Sequence, residues 1–258
     1  MFLSFLIILI IIFILFFVVN CHNPEETHYN PRETFVSMTT IPERLNNPWF
    51  YENLQHTLST LPKNSKLILN IPDYSLQNIP YEVPESVKNL QSSTFLINYC
   101  GKDEGPITKI RPVLQNKSIP EDSIIIIIDD DIFYRKNVLF LLQKNIQKNP
   151  TKVSSMCNTK IEGFAGYGFV KKVMLGLKDI TIPESCIRID DFVISQYIDN
   201  LKLKKKCIPY YGKKNGFCSM HQKKTDTHPK WEELCVDNEK RNNMNKICLH
   251  DLKNQKIL

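Results

Sequence analysis

The chain has 258 residues, of which 42% are hydrophobic and 23% charged, with eight glycines and a net charge of +6. That length suits one domain of usual size, and the composition excludes disordered, collagen-like and glycine-linker architectures. The balance is only mildly basic, and the excess lies late, with 14 Lys/Arg against 6 Asp/Glu from Lys202 onward; no nucleic-acid partner is expected.

Phe2 to Val19 is an 18-residue apolar run interrupted by one serine and by no charge. At about 1.5 Å per residue it spans about 27 Å, close to the hydrocarbon core of a bilayer. It has neither the basic start nor the small-residue cleavage site of a secretory signal, since Asn20-Cys21-His22 follows. Residues 1–20 are therefore expected to form a signal-anchor transmembrane helix and residues 21–33 a short polar stem. Glu25 and Glu26 beyond the run favour a cytosolic N-terminus and a translocated body. The expectation is a single-pass type II membrane protein, facing the ER or Golgi lumen in a eukaryotic host. The cysteines show no zinc spacing; in a translocated body some pair as disulfides, with Cys207, Cys218, Cys235 and Cys248 the leading candidates.

Strands and helices then alternate. Strands are predicted at Thr34–Met38, at Lys66–Asn70 (ended by Ile71-Pro72-Asp73), at Ser93–Tyr99 and at Ser123–Ile128. Helices are predicted from Trp49 to Leu61, from Ile107 to Gln115 behind Pro106, and from Val138 to Gln147. Ile124 to Ile128 are five consecutive isoleucines, apolar to both sides, as a doubly covered central strand of a parallel sheet requires. The alternation implies βαβ units and a three-layer α/β/α sandwich with a mostly parallel sheet over residues 34–215, followed by a basic, Cys-containing extension, 216–258, packed on it.

The central strand ends in Asp129-Asp130-Asp131, at the carboxyl end of the sheet, where ligands of open α/β folds bind. Strand alternation points Asp129 and Asp131 to one side and Asp130 to the other. Two carboxylates on one side repel unless a cation lies between them, and oxygen-only ligation suits Mg²⁺ or Mn²⁺ bridging a substrate phosphate. A solvated acidic turn is the plainer alternative.

With that motif the chain resembles the GT-A glycosyltransferases of the nucleotide-diphospho-sugar transferase superfamily, in which a DxD motif ends a hydrophobic strand. The likeness covers about residues 33–215. Ser37-Met38-Thr39-Thr40-Ile41-Pro42-Glu43-Arg44 is similar to the family's first strand and nucleotide-facing loop. Gly105-Pro106-Ile107-Thr108-Lys109 resembles the segment before the DxD strand. Glu162-Gly163-Phe164-Ala165-Gly166-Tyr167-Gly168 resembles the Gly/aromatic acceptor-side segment, and Asp190-Asp191-Phe192 the acidic pair that carries the base of inverting members. The resemblance implies Thr39, Thr40, Arg44, Lys109 and Asp130 toward the donor, and Gly163, Phe164, Gly166 and Tyr167 toward the acceptor. It implies Asp129 and Asp131 on Mn²⁺ or Mg²⁺, and a late histidine completing the metal shell: His221 first, with His228 and His250 as alternatives. The donor would be a nucleotide-diphosphate sugar, the acceptor a hydroxyl on a glycan, glycoprotein or glycolipid. The triple Asp departs from the pattern by leaving the metal register ambiguous.

Ile187 to Leu201 carries a helical apolar stripe headed by Asp190 and Asp191. Carboxylates there cap free helix amides, and one of the pair is expected to do so. The other is expected to be the general base of a single displacement, Asp191 first and Asp190 as alternate. Two competing functions stand beside the transferase. One is another metal-dependent phosphoryl-transfer enzyme or hydrolase, against whose haloacid-dehalogenase-like form Phe133 counts. The other is a non-catalytic, membrane-anchored glycan-binding protein.

Overall fold

A computed structural model describes residues 32–156, 161, 163–208 and 238–254. The expected anchor helix, nearly all of the stem, and His221 and His228 lie outside the described residues. Among the described residues no helix is long and apolar enough to cross a membrane.

The chain enters on β1 (Thr34–Thr39), turns through the short helix α1 (Pro42–Leu45) and runs into α2 (Pro48–Ser59). Pro48 opens α2 with its fixed φ, and the Asn47 side chain accepts the Trp49 amide at 3.0 Å. There follow β2 (Ser65–Tyr74), α3 (Glu85–Lys88), β3 (Phe95–Lys102), α4 (Arg111–Gln115), β4 (Ile124–Ile127), α5 (Val138–Lys148) and β5 (Val153–Ser155). The last elements are β6 (Tyr167–Val170), α6 (Asp190–Asn200), β7 (Lys205–Cys207) and α7 (Asn238–Asn254), with 3₁₀ turns at Ile107–Lys109, Gly163–Ala165, Lys171–Lys178 and Glu184–Cys186.

The strands form one sheet in the order β3-β2-β1-β4-β6-β5-β7. Neighbours are parallel except around β6, which runs antiparallel to both β4 and β5. Ile124, Ile126 and Ile128 face one apolar layer with Phe50 and Leu54 of α2 and Leu139 and Leu142 of α5. Ile125 and Ile127 face the other, with Val113 of α4, Val193 and Ile194 of α6, and Cys248 and Leu252 of α7. All five isoleucines are fully buried, each worth about 1.5–3 kcal/mol relative to an exposed side chain. The expected three-layer sandwich with a mostly parallel sheet is the fold observed, and α7 is part of its core.

Three expectations are corrected. Strand β2 does not end before Pro72 but continues to Tyr74. Its partner β1 stops at Thr39↔Asn70, so beyond Asn70 only β3 is alongside. A register shift beside Pro72 absorbs the missing donor. The single helix expected over Ile107–Gln115 is divided into a 3₁₀ turn and α4, because Pro112 can stand only in a helix's first turn. Finally, Cys248, one of the four leading candidates, is in a disulfide, but its partner Cys186 lies outside that group, brought there by the Glu184–Cys186 turn packing against α7.

Candidate active site

Each functional side chain sits where a strand or helix ends. β1 delivers Thr39 and Thr40, β4 delivers Asp129 to Asp131, and the turn before β6 delivers Gly163. The head of α6 brings Asp190 and Asp191, and the 3₁₀ turn after β3 brings Lys109. Because β6 is antiparallel, its entrance at Tyr167 lies beside the carboxyl end of β4 at Ile127, which sets the Gly163 turn against the aspartates.

The β4 aspartates divide. Arg44, on α1, binds Asp130 at 2.5 Å through Nη1 and Asp131 at 3.1 Å through Nη2. Thr40 Oγ1 donates to the other Asp130 oxygen at 2.6 Å, and Asn53 Nδ2 donates to the Asp130 carbonyl at 2.6 Å. Asp129 pairs instead with Lys109, Nζ to Oδ1 2.7 Å, and the same ammonium lies 2.9 Å from Asp190 Oδ2. The expected same-side pairing of Asp129 and Asp131 is therefore not what the contacts show. The strand stops at Ile127, and Asp130 and Asp131 lie in a turn, where strict alternation no longer applies.

Neither member of the second acidic pair caps its own helix among the described hydrogen bonds. Asp190 is buried against Lys109, while Asp191 Oδ1 accepts the Gly163 amide at 3.0 Å and keeps part of its surface exposed. Tyr134, which the sequence reading did not single out, closes the arrangement. Its hydroxyl accepts the Asp129 amide at 3.0 Å and donates to the Gly163 carbonyl at 3.2 Å. A second unforeseen support is a buried ladder. Asn98 Nδ2 donates to Asn70, Asn70 Nδ2 donates to Ser37 Oγ, and Ser37 Oγ donates to the Lys109 carbonyl at 2.6 Å. Asn70, polar within an otherwise apolar strand, was the available sequence signal.

Within this cluster five carboxylates face two cations. Burial pushes the Asp131 carboxyl up to about 7, with Asp130 adding to the rise and Arg44 opposing it. Burial likewise raises Asp191 to about 7, assisted by Asp190 and opposed by Lys109. Burial raises Asp130 too, against the pull of Arg44. Lys109 is held well above its ordinary value: burial works against its charge, but Asp129 and Asp190 outweigh it. Such a surplus of negative charge is what a divalent cation offsets.

Among the described residues no three His, Cys, Asp or Glu side chains are grouped as a metal shell. Mg²⁺-type ions need only one or two protein carboxylates when substrate phosphates and water complete their coordination, and Asp129 and Asp131, 26% and 17% exposed, keep part of their surface open for that donor set. His250 pairs with Asp251 on α7 and touches none of these carboxylates among the described contacts. Thr39 Oγ1 donates to the Asn70 carbonyl toward β2. Tyr167 is fully buried beside Lys109 and Gly166 adopts φ +77° beneath Leu142 and Tyr134, so among the described residues of the Gly/aromatic segment only Phe164 retains exposed surface.

No family model matches the chain, and no curated protein is similar to it in sequence. Its fold is similar to that of the mannosyltransferase PcManGT from Pyrobaculum calidifontis, solved in complex with GDP-Man and Mn²⁺. The two agree at a TM-score of 0.52 and 11% identity over 69% of this chain and 55% of the other, so this chain spans about half that enzyme's length. A looser likeness, TM-score 0.49 and 6% identity over 69% and 88% of the two chains, links it to 4-diphosphocytidyl-2C-methyl-D-erythritol synthase. At 11% identity the likeness is one of fold, of the GT-A-like kind.

Proposed function

We propose that this chain is a divalent-metal-dependent glycosyltransferase. It moves a sugar from a nucleotide-diphosphate sugar to a hydroxyl of a glycan, glycoprotein or glycolipid, in one inverting displacement. The observation that carries the reading is the placement of Asp191. It stands at the head of α6, bonded to the Gly163 turn that also contacts the Asp129 side of the cluster, and its carboxyl is raised to about 7. A base is most effective when its proton affinity lies near the working pH.

Asp191 takes the proton of the acceptor hydroxyl, and the freed oxygen attacks the anomeric carbon. Asp190, engaged by Lys109, is not available for that work. The leaving diphosphate lies toward Asp131 and the Arg44 guanidinium, which Asp130 and Thr40 hold in place. Asp129 and Asp131 would hold Mn²⁺ or Mg²⁺, which would compensate the charge of the departing diphosphate. Phe164 offers the acceptor an apolar contact. The body belongs on the translocated side of a membrane, anchored through residues 1–20; the Cys186–Cys248 disulfide supports an oxidising compartment.

The PcManGT complex makes GDP-Man the first donor to try. The detergent-solubilised full chain should hydrolyse one member of a panel of GDP- and UDP-sugars with Mn²⁺, and more slowly with EDTA. NMR of a newly made linkage should show the anomeric configuration opposite to the donor's. Retained configuration would exclude the single displacement, and a chain inert toward the whole panel would exclude the transferase.

A further inference from the structure

We propose that Lys109 is a positioning residue rather than a donor contact: its buried ammonium ties Asp190 to Asp129 and so fixes the head of α6, leaving Asp191 to meet the acceptor. The inference rests on the transferase reading above and reassigns the residue that sequence resemblance directs to the diphosphate.

Four observations converge. The Lys109 side chain is 5% exposed, and Nζ lies 2.7 Å from Asp129 Oδ1 and 2.9 Å from Asp190 Oδ2. A lysine ammonium has three donors, and this geometry commits two directions to carboxylates from different elements. Gly163 closes over it: a Cβ built there would stand 2.5 Å from Nζ and 2.7 Å from Asp129 Oδ1. The Gly163 turn therefore lies directly against the ammonium, whose side chain is almost wholly enclosed. The backbone is fixed as firmly, since Ser37 Oγ donates to the Lys109 carbonyl at 2.6 Å from within the buried Asn98–Asn70–Ser37 ladder.

A buried cation is costly unless its partners stay in place, and breaking a buried pair leaves an uncompensated charge. The same amide turn that covers Nζ donates to Asp191 Oδ1 at 3.0 Å. Displacing the ammonium therefore moves both walls of the base's seat, Asp190 beside it and Gly163 in front. A donor contact and a positioning residue predict opposite changes. Loss of a donor contact weakens donor binding, whereas loss of a positioning residue lowers turnover with the donor still bound, since small misplacements cost about 10²-fold.

The test compares Lys109→Met, Asp190→Asn and the double variant in the detergent-solubilised full chain. Three quantities are read: unfolding midpoint, Mn²⁺-dependent GDP and UDP binding by calorimetry, and kcat with the donor that the wild type accepts. Lys109→Met should lower the midpoint and reduce kcat about 10²-fold while nucleotide affinity holds. Adding Asp190→Asn should recover part of the midpoint, because it removes a carboxylate left without its cation. Weakened nucleotide binding in Lys109→Met with kcat preserved would overturn the positioning role while leaving the transferase reading standing. So would a double variant no more stable than Lys109→Met. A wild type that neither binds nucleotide nor consumes any donor overturns the transferase reading and the positioning role with it.

Discussion

Two cation-centred groups make up the acidic cluster, and they are built differently. Around Arg44 the partners are neighbours in one turn: a planar guanidinium spans Asp130 and Asp131, one nitrogen to each. Around Lys109 the partners come from separate elements, Asp129 after β4 and Asp190 at the start of α6. Each group nevertheless contains one carboxylate raised to about 7, Asp131 in the first and Asp191 in the second. The Arg44 group thus joins the β1 end of the sheet to the turn after β4, 86 residues apart, whereas the Lys109 group also draws in the head of α6. Within the proposed mechanism the first belongs to the leaving group and the second to the acceptor.

The largest effect should come from the base. Asp191→Asn is expected to reduce turnover by about 10²–10⁴-fold while Mn²⁺-dependent nucleotide binding persists. The corresponding Asp131→Asn should instead abolish that binding, and parallel calorimetry and kinetics on the two variants check the division. If both lose binding alike, the two groups do not divide the work.

Next comes the cation of the first group. Arg44→Met leaves Asp130 buried against Thr40 without its counter-ion, and should cost about 3–5 kcal/mol in urea unfolding. Gly163→Ala tests the shared turn. Its Cβ would collide with Nζ of Lys109 and Oδ1 of Asp129, so stability should fall by about 1–3 kcal/mol and turnover should drop with it.

The last expectation is a pH dependence with an unusual sign. Asp131 and Asp191 are each raised from 3.8 to about 7 on folding, so the native state binds more protons than the unfolded chain between those values. Stability should accordingly fall as pH rises from about 4 to 7, then level off. Turnover should rise over the upper part of the same window as Asp191 loses its proton. Added Mn²⁺ should flatten the stability slope by favouring ionised Asp131. Urea titrations at several pH values, with and without Mn²⁺, measure both trends.

Much of this arrangement was legible in the residues. The isoleucine run, the aspartates after it and the striped helix behind Asp190 announced β4, its carboxyl end and α6, because each is a strong local pattern. The short strands β5 and β7 were not legible. Each has three residues, and Lys205-Lys206-Cys207 reads as an exposed tail until it lies beside Val153–Ser155. Nor could the sequence choose between Asp190 and Asp191. What separates them is an ammonium from another element and an amide from a third, which local spacing does not encode. Tyr134 was hidden for the same reason: an aromatic beside an apolar strand signals core, and its hydroxyl contacts depend on where β6 enters.

The disulfide between Cys186 and Cys248 also bears on the order of synthesis. Cys248 and Leu252 fill the apolar layer beneath α6, and the bridge ends just ahead of Asp190. As the polypeptide emerges from the ribosome, strands β1 to β6 and the Arg44 group can assemble first, since everything they need precedes α6. The seat of the proposed base is finished only after the last helix has been translated and the bridge has formed. A nascent chain halted before Asn238 would therefore carry the leaving-group half of the site without a completed acceptor half.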